Sequence, residues 1–161
     1  MHSIIFQITK KQVNKNELLS ANTILQGEGT PYDYCSEIND DERKKNIFNL
    51  ITNVLPKGMF EFISQDVIEY KGGADQWKKE CVKNIQDTAK KLNADNITDW
   101  TGPIYKLDKM VNNPLNTDYQ FYFDEKGIQN YAEKSYELLR FVSTLETGSI
   151  LYIGGVIDYH H

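Results

Sequence analysis

Ile150-Leu151-Tyr152-Ile153-Gly154-Gly155-Val156-Ile157-Asp158-Tyr159 is the stretch from which the fold is read. Bulky and β-branched residues on both sides of a glycine pair predict a β-strand interrupted by a bulge, a sharp bend or a tight turn at Gly154 and Gly155. Just before it, Thr147 and Gly148 end a helix whose stripe is Tyr131, Ser135, Leu138, Val142 and Leu145, widened by Leu139. Further back, Tyr119, Phe121 and Phe123 alternate with Gln120, Tyr122 and Asp124, a second strand with one apolar face.

At the other end of the sequence, Ile4, Ile5, Phe6 and Ile8 form a short β-type run. Leu18, Leu19, Ile24 and Leu25 suggest a short helix, and Gly27, Gly29 and Pro31 mark a loop. Asn39 caps the first strong helix, with Glu42 as its capping-box partner and Ile47, Leu50, Ile51 and Val54 as its apolar face. Pro56 and Gly58 stop it. Met59 to Ser64 and Val67 to Lys71 then read as a hairpin around Gln65 and Asp66, closed by Gly72 and Gly73.

A second strong helix carries Trp77, Cys81, Ile85, Ala89 and Leu92 on one face and lysines on the other. Asp95 to Gly102 is irregular. Ile104, Leu107 and Val111 form a short helix that Asn112, Asn113 and Pro114 end. This order predicts an α+β fold over 1–161, one domain with a single mixed or mainly antiparallel sheet packed against several helices.

The bulk composition agrees. At 161 residues, with 40% hydrophobic and 25% charged side chains, the chain can bury a core without metal or disulfide staples. Cys35 and Cys81 are its only cysteines and are expected as reduced thiols. The first ten residues lack the basic and apolar regions of a signal peptide, and no apolar run approaches membrane-spanning length. The expected location is cytoplasmic. A formal charge of −5, from 18 basic and 23 acidic side chains, argues against a nucleic-acid partner.

Few residues suggest chemistry. Asp158 and His160 are two apart on a strand and share a face; with His2 they offer an acid–base pair or a metal site. Against that, no zinc-type spacing is present, and the end of the sequence also reads as a frayed polar strand with His161 as an added residue. Cys35 has no local base, and Cys81 has core spacing. Gly27-Glu28-Gly29, Gly72-Gly73 and Gly154-Gly155 each lack the context of a phosphate loop. No cofactor or metal is expected. Lys78, Lys79, Lys83, Lys90 and Lys91 fit a solvated helix face, and Trp100 and Tyr105 would matter for binding if exposed.

One pattern remains. From Glu28 to Glu42 there are six acidic residues and no lysine or arginine. The helix dipole accounts for Asp40, Asp41 and Glu42. It does not account for Glu28, Asp33 and Glu37 beside Tyr32 and Tyr34. Acidic groups around aromatic anchors make a surface that steers and grips a basic protein. Glu28, Tyr32, Asp33, Tyr34 and Glu37 are therefore the expected partner-binding residues. The expected function is a small acidic protein-binding domain acting without catalysis, such as an inhibitor, immunity or counter-defence protein. Two alternatives stand beside it: an enzyme with a non-local His/carboxylate site, and a small-ligand-binding regulator.

Overall fold

The computed structural model describes residues 1–161. Six strands, β1 (His2–Thr9), β2 (Tyr34–Glu37), β3 (Phe60–Ser64), β4 (Val67–Tyr70), β5 (Gln120–Tyr122) and β6 (Ile150–His160), form one mixed sheet. The main path runs β3-β4-β6-β1-β5, and β2 also pairs with β6. Only the β1–β5 pairing is parallel. Helices α1 (Asp40–Asn49), α2 (Ala74–Ala89), α3 (Pro103–Asn112) and α4 (Ser135–Ser143) complete the α+β fold.

β6 organises the sheet, and its glycine pair is a bulge. Phe6 pairs with Val156 and Ile8 with Ile153, so Gln7 alone stands opposite Gly154 and Gly155. The extra residue switches the side-chain parity of β6. Leu151 and Ile153 join the larger core cluster before the bulge, and Val156 joins it afterwards. Ile157 and Tyr159, odd-numbered like the first two, now enter the smaller cluster on the opposite face with Ile5, Leu19 and Tyr32. One strand thereby feeds two cores.

Glycine is required at the bulge. A Cβ on Gly155 would overlap the Leu19 carbonyl, and one on Gly154 would overlap the Gln7 side chain. Gln7 is fully buried and fully bonded. Its Oε1 accepts from Leu19 N at 2.8 Å and Gly155 N at 2.9 Å, while Nε2 donates to the carbonyls of Glu17 and Asp124, both at 3.0 Å. This amide ties two loops to the sheet.

Along one edge of β6, β4 covers Ile150–Tyr152 and β2 covers Ile157–His160, leaving a gap between them. Arg43 of α1 fills it. Its Nη2 donates to the carbonyls of Ile153 at 3.2 Å and Gly154 at 2.7 Å, and Nη1 pairs with Asp66.

Local signals explain the helices. Glu42 N donates to Asn39 Oδ1 at 2.9 Å and Asn39 N to Glu42 Oε2 at 3.4 Å, completing the capping box of α1. A π-helical turn, Leu50–Val54, prolongs α1 up to the stop at Pro56 and buries Leu50 and Ile51. The expected short helix at 18–25 is instead irregular, with a single 3-10 turn at Lys15–Glu17. Leu19 and Ile24 are nevertheless buried. Here the loop, anchored by Gln7, supplies the second core. The last helix starts later than its stripe suggested, because Glu133 forms a backbone bridge with Phe121 and holds the preceding residues extended.

Candidate functional site

β2, β6 and β1 lie side by side, and their register brings distant residues together. His2 pairs with His160, Tyr34 with His160 and Ser36 with Asp158. These side chains share the sheet face of Ile4 and Phe6, at the exposed ends of the strands. His2, Asp158 and His160 therefore do meet, and they meet Asp33 and Tyr34 of the acidic segment.

Each imidazole is held by a carboxylate. His2 Nδ1 lies 2.9 Å from Asp158 Oδ2, and His160 Nδ1 lies 2.9 Å from Asp33 Oδ2. A carboxylate only accepts, so each Nδ1 carries the proton. In the neutral His2 ring, Nε2 then accepts the Tyr34 hydroxyl hydrogen, 3.1 Å away. Ser36 Oγ donates to Asp158 Oδ2 at 3.4 Å. The Tyr34 ring stacks on His160, with centroids 5.0 Å apart and planes 8° from parallel. His2 stands edge-on to Tyr34 at 5.8 Å.

Tyr34 is thus fixed on two sides while remaining 44% exposed. Asp33 and His2 are also open to solvent. The five principal clefts of the molecule include none of His2, Asp33, Tyr34, Asp158 or His160 in their linings. The cluster is an open platform.

The remaining acidic-segment residues have different fates. Glu28 and Glu37 are exposed, and Glu37 Oε1 accepts the Ala21 amide at 2.7 Å. Tyr32 corrects the expectation of a surface anchor, because it is only 1% exposed. Its hydroxyl donates to Gln120 Oε1 at 2.6 Å and accepts from Ala132 N at 3.0 Å. Burial pushes its phenol up to about 12. It is a core tyrosine whose hydroxyl joins β5 to the loop before α4.

Cys35, between Tyr34 and Ser36, is half-buried against the smaller core. Burial first, and then the Asp158 charge, push its thiol up to about 11, the opposite of nucleophile activation. Ser36 is the site residue that the sequence reading passed over. Its spacing from Tyr34 would have placed both on one face had this segment been read as a strand.

Elsewhere, the α2 lysines make solvated pairs such as Lys78–Asp75 at 2.8 Å and Lys83–Asp87 at 2.7 Å. Trp100 is 83% exposed in the irregular stretch before α3. A polar cleft of 690 Å³ lies over the Arg43 gap. An apolar groove of 470 Å³ separates α2, α3 and α4.

Comparison with protein-family models, with curated proteins and with solved structures finds no match to this chain. No three His, Cys, Asp or Glu side chains converge as a metal-holding set. What the platform offers is a pre-positioned aromatic ring, two carboxylate-held imidazoles and neighbouring exposed carboxylates.

Proposed function

We propose that this chain is a protein-binding domain that acts without catalysis, and that Tyr34 and Asp33 anchor its partner. One observation carries this reading: Tyr34 is exposed yet already held by His2 and His160. A contact aromatic that is ordered before binding loses little conformational entropy on association. Asp33 next to it, and Glu28 and Glu37 on the same acidic segment, favour a partner with a basic surface. An inhibitor, immunity or counter-defence protein fits this chemistry. The test is affinity capture with the wild type and with the double variant Asp33→Lys, Tyr34→Ala, which should release the partner while keeping the fold.

A second reading rests on the chain of bonds Tyr34 Oη–His2 Nε2 and His2 Nδ1–Asp158 Oδ2. A carboxylate-oriented imidazole bonded to a hydroxyl is the arrangement of a general base. Its position on an open face, rather than in a cleft, favours binding instead. A screen of ester, amide and phosphate substrates separates the two readings: turnover that His2→Ala abolishes supports catalysis, and partner capture without turnover supports the platform.

A further inference from the structure

The groove between α2, α3 and α4 shares no residue with the Tyr34 platform. Its floor is apolar: Val82 and Ile85 of α2, Met110 and Val111 of α3, and Leu139 of α4. Val82 and Val111 stay exposed there. The volume of 470 Å³ falls within the range of about 300–1,000 Å³ usual for small-molecule sites.

One end of the groove is cationic. Gly148 N donates to the Tyr70 carbonyl at 2.8 Å, which sets the chain entering α2 beside the chain leaving α4. At the other end, Thr88 Oγ1 donates to Met110 Sδ at 3.3 Å and Leu115 N donates to Ser135 Oγ at 3.0 Å. These bonds tie the end of α2 and the start of α4 to the end of α3. The helices α2 and α4 therefore run antiparallel, and Lys78 and Arg140 stand toward the same end.

Lys78 and Arg140 are the only charged side chains in the lining. Each has a carboxylate partner on its own helix. Lys78 Nζ lies 2.8 Å from Asp75, and Arg140 Nη1 lies 3.1 and 3.2 Å from the two oxygens of Glu137. Neither carboxylate lines the groove, and i,i+3 pairs at the surface contribute little and exchange readily. Neither cation bonds any other group of the protein, so Arg140 Nε and Nη2 are free to donate.

We infer that this groove binds a single-chain amphiphile with a carboxylate head, of which a free fatty acid is the simplest form. The carboxylate sits on Lys78 and Arg140, and the chain runs over Val82, Ile85, Met110 and Val111. Charge complementarity selects an anion, because nothing in the lining repels one. The placement of both cations at one end selects a head and tail; an amphipathic helix would need polar partners along both rims. The seven residues from Lys78 to Ile85 give about 10 Å of floor, which suits a chain of medium length.

The test is calorimetric titration of the full chain with dodecanoate, decanoate and dodecyltrimethylammonium, each below its micelle concentration. Alkylation of Cys81, which lines the groove, gives a local readout. Dodecanoate should bind and slow Cys81 alkylation, and decanoate, two methylenes shorter, should bind roughly tenfold more weakly. The cationic amphiphile should bind at least about tenfold more weakly than dodecanoate. The double variant Lys78→Gln, Arg140→Gln should lose that preference while keeping its melting transition. If it fails to fold, the comparison of head groups on the wild type decides. Absence of dodecanoate binding overturns the inference, as do equal binding of the two head groups, an unprotected Cys81, or an unchanged preference in the folded double variant.

Discussion

Tyr34 lies nearly flat on His160, 5.0 Å between ring centroids, although the two residues are 126 positions apart in the chain. The pairing of β2 with β6 creates this contact, and Asp33 secures it by bonding His160 Nδ1 at 2.9 Å. An anchor held this way is rigid in the free protein. His160→Ala should loosen Tyr34 without deleting it. The expected loss of partner affinity is about 1 kcal/mol, roughly fivefold, mostly as faster dissociation in surface-binding kinetics. Tyr34→Ala should cost more than that.

Gln7 makes four hydrogen bonds in the bulge, and nothing nearby replaces them. Gln7→Leu should strand two amides and two carbonyls, lowering stability by about 3 kcal/mol or more. Gly155→Ala should cost about 3 kcal/mol because its Cβ meets backbone rather than a flexible tip. Urea unfolding midpoints check both. An unchanged midpoint for Gln7→Leu would mean that the bulge does not depend on this amide.

Alkali should unfold the protein through its buried phenols. Burial raises Tyr32 and Tyr122 from 10.0 to about 12, with Tyr159 moved in the same direction. A raised acid favours the neutral form in the folded state. The stability it contributes is complete below pH 10 and is lost as pH rises through about 12. Tyrosinate absorbance and far-UV circular dichroism should therefore change together in that window.

Cys35 should be a sluggish thiol. With its pKa moved from 9.0 to about 11, its thiolate fraction at neutral pH is lower by roughly a hundredfold. Alkylation followed by mass spectrometry should show Cys35 reacting correspondingly slower than the same peptide unfolded in denaturant.

The elements most legible in the sequence were those specified by neighbouring residues. Asn39 and Glu42 announced the start of α1, and the glycine pair announced an interruption of β6, which the register with β1 makes a bulge rather than a bend or a turn. β2 was not legible. Tyr34-Cys35-Ser36-Glu37 has no apolar alternation and becomes a strand only through β6, more than a hundred residues away. For the same reason, Asp158 and His160 could be grouped on strand parity with His2 as a candidate neighbour, whereas the pairings that join all three to Asp33 and Tyr34 could not be read. Tyr32 and Tyr34 looked equivalent in sequence. Tyr32 lies in the loop before β2 and turns into the smaller core, whereas Tyr34 is the first residue of the strand and stands on the surface.

The most direct test of the binding account is affinity capture of the tagged protein from a lysate of its native host or its target cell, read by mass spectrometry. The account predicts one partner recovered in near-equal amount with the wild type and lost with Asp33→Lys, Tyr34→Ala, while that variant keeps its melting transition. A partner retained equally by the folded double variant, or a blank with the wild type, would contradict it.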